Sequence, residues 1–237
     1  MRIAVFVPSL RGGGAERVML DLAHGFAERG IATDLVLPQV EGPYLSEVRP
    51  DVRIVNLRAR RVLASLPGLV RYLRRERPDA LLATLTHANL VALWARRLSG
   101  VPTRVVVREA NTLTQVTRGA GTDRRRLFPF LVRKFYPWAD GIVAVSRGVA
   151  LDLETSSGTS ARRMHILPNP VLTPDLASKA REALDHPWFA VGEPPVVLGV
   201  GRLSKQKDYA TLIRAFNGVR RQRVARLVIL GDGPERA

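Results

Sequence analysis

Short apolar runs alternate with longer amphipathic stretches from the first residues onward, the rhythm of repeated strand–helix–strand units. The runs predicted as strands are Ile3 to Val7, Thr33 to Leu37, Arg53 to Leu57, Ala80 to Leu85, Arg104 to Val107, Gly141 to Val145 and Met164 to Leu167. Several are apolar throughout, as expected of parallel strands buried on both faces. Helical periodicity fills the gaps. Val18, Leu22 and Phe26 fall four apart within Ala15 to Arg29, and Gly30 supplies a stop. Leu66, Leu69, Val70 and Leu73 follow the i, i+3, i+4, i+7 spacing up to Arg77-Pro78. A third helix is predicted from Ala88 to Leu98, and a fourth, around Arg124 to Tyr136, must kink or split at Pro129.

After Leu167 the pattern breaks. Pro168-Asn169-Pro170, Pro174, Pro187 and Gly192-Glu193-Pro194-Pro195 punctuate a stretch holding one predicted short helix, Pro174 to Leu184. That composition marks an interdomain connection. The strand–helix–strand rhythm then resumes with strand Pro195 to Val200, helix Asp208 to Val219 and strand Arg226 to Leu230. The fold class is therefore α/β. A Rossmann-like parallel-sheet domain is expected over residues 1–170, a connection over 171–194 and the first βαβ unit of a second domain over 195–237. Two parallel strands and one helix are too few to bury their own faces, so the chain is expected to be a truncated form.

At 237 residues and 46% hydrophobic, the chain can build a proper core. It contains no cysteine, which removes disulfide frameworks and thiolate metal sites, and its four histidines lack metal-ligand spacing. The apolar start, Ile3 to Val7, is cut short by Pro8, so no signal peptide is expected; no run of about eighteen apolar residues occurs in the sequence, so no membrane span is expected either, and the expected location is cytoplasmic. The formal net charge of +16 comes almost wholly from arginine, with lysine only at 134, 179, 205 and 207. Such a charge draws the chain toward phosphate-rich partners: nucleotide substrates, anionic lipid headgroups or nucleic acid. Nucleic acid is disfavoured, because few aromatics interleave with the cations and no recognition motif is present.

Two glycine loops carry the candidate chemistry. Pro8 to Glu16 follows the first strand and contains Gly12-Gly13-Gly14 just before a helix. Consecutive glycines let a ligand approach backbone N–H groups at a helix N-terminus, although a tight turn would use glycine equally. Gly199 to Ile213 places Arg202 and Lys207 on a loop leaving the carboxyl end of a strand, with Asp208 set to cap the next helix. A planar guanidinium and a mobile ammonium together suit a diphosphate, especially one departing during bond cleavage. His87, just past a strand end, could bond a sugar hydroxyl or fill a structural role. Glu109 and Asn111 follow the next strand and could bind acceptor hydroxyls or cap their loop. No Ser-His-Asp set and no carboxylate pair of glycosidase spacing is present, so hydrolysis is disfavoured.

Five segments in order, Gly12 to Arg17, Val145 to Val149, Leu167 to Val171, Gly199 to Leu203 with Gln206 to Tyr209, and Leu230 to Glu235, resemble those of the retaining GT-B glycosyltransferases, the glycogen-synthase-like and "group 1" family. The resemblance implies two Rossmann-like domains facing across a cleft, the first for the acceptor and the second for a nucleotide-sugar donor. It implies that Arg202 and Lys207 hold the donor diphosphate, with Gly13, Gly14, Gly231 and Gly233 also on the donor. His87 would line the reacting centre, and Glu109 and Asn111 would meet the acceptor. Such enzymes usually need no metal and no further cofactor, since cations and a helix N-terminus stabilise the leaving group. The family's second-domain motif of two glutamates seven residues apart lies beyond Ala237, so low or absent turnover is expected of this chain. The expected function is transfer of a sugar from a nucleotide diphosphate to a glycan or lipid-linked acceptor with retention, at an anionic membrane surface. The competing expectation is a non-catalytic remnant that keeps only acceptor or membrane binding.

Overall fold

The computed structural model describes residues 1–117, 124–171 and 176–236. The chain divides into two compact units, Met1–Leu172 and Thr173–Ala237. The first is built on a seven-stranded sheet. Its strands are β1 (Arg2–Phe6), β2 (Ala32–Leu37), β3 (Val52–Asn56), β4 (Ala80–Thr84), β5 (Arg104–Glu109), β6 (Gly141–Ala144) and β7 (Met164–Ile166). They lie in the order β3-β2-β1-β4-β5-β6-β7, with every neighbouring pair parallel. The connecting helices are α1 (Gly14–Glu28), α2 (Leu66–Glu76), α3 (Thr86–Ser99), α4 (Leu113–Thr117), α5 (Phe128–Phe135) and α6 (Arg147–Ser157).

The period of two along β1 sorts the core into two layers. Ala4 and Phe6 pack with Leu81, Ala83, Val105 and Val107 against the side of the sheet covered by α2, α3 and α5. Val5 and Val7 face the other way, onto Met19, Leu20 and Ala23 of α1. Both layers are fully buried at β1, which is why its apolar residues do not alternate with polar ones.

Several boundaries differ from the sequence expectation, each for a physical reason. The segment at Pro129 splits rather than kinks. A 3₁₀ turn covers Arg124–Leu127 and α5 restarts with proline in its first turn, where the missing N–H costs nothing. β5 runs two residues past Val107, so Glu109 ends a strand instead of sitting in a loop. The helix expected from Pro174 to Leu184 reduces to α7 (Leu176–Lys179), with Pro174 outside the described residues. No apolar stripe holds the rest of it, and Leu184 is 65% exposed. Helix α6 was not expected at all. It is started by Ser146, whose hydroxyl accepts from the Val149 N–H at 3.2 Å, and ended by left-handed Gly158.

The second unit holds β8 (Val196–Val200), α8 (Tyr209–Gln222) and β9 (Arg226–Leu230), with β8 and β9 parallel. Residues predicted as a connection fold onto it. Arg226 pairs with Glu193, and its guanidinium carbon lies 5.0 Å from the Trp188 ring centre. Its strands remain open, with Leu198, Val200 and Leu230 each more than half exposed. Among the described residues no helix is long and apolar enough to cross a membrane.

Candidate active site

Strand order reverses between β1 and β4: from β1 the chain steps outward through β2 and β3, then returns to place β4 on β1's other side. In open parallel sheets such a switch point opens a crevice at the carboxyl ends of the strands, where ligands bind. The two turns that flank it are Ser9–Gly14 after β1 and Leu85–His87 after β4.

The first turn is braced by one carboxylate. Glu16, nearly buried, accepts from the Gly13 N–H at 2.8 Å and from the Ser9 hydroxyl. Gly12 adopts φ +100°, which only glycine takes without strain. Gly13 is extended at φ −83°, and a Cβ there would touch Glu16 at 3.4 Å. Gly14 opens α1, and a Cβ on it would meet no atom within 4 Å. The fold itself gives no packing reason for glycine at 14.

The second turn is strained. Leu85 sits at φ 72°, ψ 133°, a conformation an L-residue rarely adopts, and α3 begins directly after it. Its N–H bonds the Arg108 carbonyl on β5 at 3.3 Å. This turn carries exposed His87 to the rim of a cavity of about 390 Å³, lined also by Leu85, Thr86, Glu109, Asn111, Val116 and Phe128. His87 and the pair Glu109 and Asn111, more than twenty positions apart in sequence, therefore share one concavity.

Beneath the cavity Glu109 is held from three sides. Its carboxylate accepts from Thr86 Oγ1 at 3.0 Å, from Asn89 Nδ2 at 3.0 Å and from the Tyr136 hydroxyl. Burial pushes its pKa up to about 6, against the pull of these three donors. Burial and the facing carboxylate push the Tyr136 hydroxyl well above its ordinary range. Asn89 Oδ1 is buried without a partner. Next to this cluster, Arg108 reaches Thr84 Oγ1 at 3.0 Å and the Asn169 side-chain carbonyl. Thus Glu109 lies under the cavity, bonded to its own fold, while Asn111 and His87 stand at its wall. Sequence reasoning missed Thr86, Asn89, Arg108 and Tyr136. Thr86 and Asn89, three apart on a largely apolar helix, were the available signal.

In the second unit, the loop after β8 and the loop after β9 press together. The Leu203 N–H bonds the Asp232 carbonyl at 2.9 Å and the Gly201 N–H bonds the Leu230 carbonyl at 2.9 Å. A Cβ on Gly231 would stand 1.9 Å from the Gly201 carbonyl oxygen, and one on Gly233 would stand 2.2 Å from that of Leu203. Both glycines are thus required by the loop contact itself. Asp208 caps α8 by accepting from the Thr211 N–H at 3.3 Å. Arg202 and Lys207 are exposed on this loop, and among the described residues neither makes an ion pair. The Lys207 stem lies over Gly201, within 3.5 Å of where a Cβ would be. Among the described residues no cluster of His, Asp and Glu could hold a metal ion.

Residues 12–173 match the model of Glycosyltransferase Family 4, and residues 180–237 match that of Glycosyl transferases group 1. The chain belongs to glycosyltransferase family 4. It is 30% identical to the N-acetylgalactosamine-N,N'-diacetylbacillosaminyl-diphospho-undecaprenol 4-alpha-N-acetylgalactosaminyltransferase of Campylobacter jejuni, across 98% of this chain and 63% of that protein. It is 28% identical to the lipopolysaccharide core biosynthesis glycosyltransferase LpsE of Rhizobium meliloti, across 95% of this chain and 58% of that protein. Among solved structures, Anabaena HepE in complex with UDP-glucose superposes with a TM-score of 0.71 at 20% identity, covering 98% of this chain and 61% of HepE. The fold is that of the GT-B glycosyltransferases, and this family 4 chain spans about 60% of the length of the relatives it matches.

Proposed function

We propose that this family 4 chain is the acceptor-binding unit and the leading donor-binding segment of a retaining glycosyltransferase. It moves a hexose-type sugar from a nucleotide diphosphate to a glycan or lipid-linked acceptor at an anionic membrane surface. The observation that carries this reading is the pairing at the switch point: a glycine turn left open at Gly14 beside a strained turn that presents His87 over the Glu109 and Asn111 cavity. The names of the two protein relatives, one acting on a diphospho-undecaprenol and one in lipopolysaccharide core biosynthesis, favour an envelope acceptor carried on lipid.

The roles follow from chemistry. Asn111 and His87 offer hydrogen-bonding groups to acceptor and donor hydroxyls at the wall of the cavity. Glu109 braces Thr86 beside His87, which refines its expected role from acceptor ligand to support. Arg202 and Lys207 supply two cations for the diphosphate, so charge on the leaving group is met without a metal in this reading. Gly231 and Gly233 shape that loop by letting its backbone close on Gly201 and Leu203 respectively.

The test is binding of UDP- and GDP-sugars to the chain, measured by calorimetry. A hydrogen bond to a charged group contributes about 1.5–3 kcal/mol. Arg202→Ala and Lys207→Ala should therefore each weaken binding by about tenfold or more. Unchanged affinity in both variants would remove the diphosphate role from this loop.

A further inference from the structure

The segment from Arg58 to Arg77 carries seven arginines and a single acid, Glu76. Glu76 is shared among Arg2, Arg53 and Arg75, so one acid offsets little of this charge. All seven arginines are exposed. Arg74 spends its guanidinium on the Leu98 and Ser99 carbonyls and Arg75 spends its own on Glu76. The side chains of Arg58, Arg60, Arg61, Arg71 and Arg77 make no hydrogen bond or ion pair among the described residues. This concentration of unneutralised charge lies on the loop before α2 and on the outer face of α2 itself.

Apolar side chains are interleaved with it. Leu63 is 58% exposed and Leu98, at the end of the neighbouring α3, is 57% exposed. Between the helices runs a groove of about 720 Å³, floored by Leu66, Pro67, Val70 and Leu98 and rimmed by Arg71 and Arg74. The only aromatic residue in the segment, Tyr72, is turned inward, its hydroxyl donating to buried Asp34 at 2.6 Å. The surface therefore offers guanidinium forks and aliphatic side chains but no ring on which a base could stack.

We propose that this face, the loop from Arg58 to Ser65 with α2 and Leu98, is the membrane-docking surface of the chain, and that its partner is a bilayer rich in anionic phospholipid. The inference rests on the membrane-surface reading above and says which face carries it. Guanidinium groups pair with lipid phosphates at the headgroup level, while Leu63 and Leu98 enter the headgroup boundary. Each arginine near such a surface strengthens association by about fivefold.

The experiment is cosedimentation of the full chain with phosphatidylcholine vesicles, with and without phosphatidylglycerol, and binding to a short DNA duplex in parallel. The chain should partition onto phosphatidylglycerol vesicles and not onto phosphatidylcholine alone. The variant Arg60→Gln/Arg61→Gln/Arg71→Gln should lose partitioning on the order of a hundredfold. Arg220→Gln/Arg221→Gln/Arg223→Gln removes the same charge from the end of α8 and should lose less than about tenfold. A fraction of the binding should survive high salt and be lost in Leu63→Ser/Leu98→Ser; a purely ionic contact would leave no such fraction and would overturn the insertion of these leucines. Equal losses in the two arginine variants would overturn this face while leaving the membrane reading standing. Failure of the unmodified chain to bind phosphatidylglycerol vesicles would overturn both, and duplex binding without vesicle binding would replace the bilayer with nucleic acid.

Discussion

Replacing Glu109 by glutamine should change how the first unit responds to pH far more than it changes its structure. The carboxyl is completely buried, and burial lifts its pKa from 4.5 to about 6. At 1.36 kcal/mol per pH unit, ionising it costs about 2 kcal/mol more in the folded protein than in the unfolded chain. Between those two values the folded protein holds a proton that the unfolded chain has released. Stability from this group is therefore fully present below about pH 4.5 and lost as pH rises through about 6. Glutamine is neutral throughout; its carbonyl oxygen can accept from Asn89 and the Tyr136 hydroxyl while its amide donates to Thr86 Oγ1. The stability of the native protein minus that of Glu109→Gln should fall by about 2 kcal/mol between pH 4 and pH 7. Groups common to both proteins cancel in the difference.

Urea unfolding followed by tryptophan fluorescence measures this directly. Trp94 lies edge-on to Phe135 with ring centres 5.4 Å apart, and Trp138 packs against the same ring at 4.9 Å, so both report on the first unit. A Trp188→Phe background removes the signal of the second unit. Parallel pH profiles for the two proteins would refute the argument that burial outweighs the three donors around this carboxylate.

Two further outcomes follow from the same geometry. Tyr72→Phe removes a buried hydrogen bond of 2.6 Å to Asp34, whose other partner is the Arg53 guanidinium. It should lower the stability of the first unit by about 1.5–3 kcal/mol in a urea titration, and an unchanged midpoint would show that Arg53 alone satisfies the carboxylate. Gly14→Ala should leave thermal stability unchanged or raise it by up to about 1 kcal/mol, because the new methyl meets nothing in the fold and alanine favours the helix. The same variant should weaken nucleotide-sugar binding if the turn closes on a ligand, so unaltered binding would remove Gly14 from the site.

The sheet was legible because its strands are short, apolar and separated by helical periods, and hydrophobic spacing reports burial directly. Helix α6 was not, because only Val149, Ala150 and Leu153 of its apolar positions are buried and the rest reads as a polar loop. Gathering His87, Glu109 and Asn111 at one edge required only that consecutive parallel strands send their carboxyl ends the same way. What sequence could not supply was the direction of Glu109. Its partners Asn89 and Tyr136 are 20 and 27 residues away, and nothing local reveals that three donors converge on it from a helix and an aromatic turn.

The glycines separate along the same line between local and distant causes. Gly231 and Gly233 look like ligand-binding glycines in sequence, yet a methyl on either would strike backbone carbonyl oxygen at 1.9 or 2.2 Å, so the fold demands them whether or not a nucleotide binds. Gly14 is different. No left-handed backbone angle and no neighbouring atom requires it, so alanine there should cost the fold nothing. A glycine that neither backbone angle nor packing requires leaves room for something outside the fold to use the space. At the switch point of a parallel sheet, beside His87, the proposed nucleotide-sugar is the candidate for that space at Gly14, and stability and sugar-nucleotide binding of Gly14→Ala, measured together, decide it.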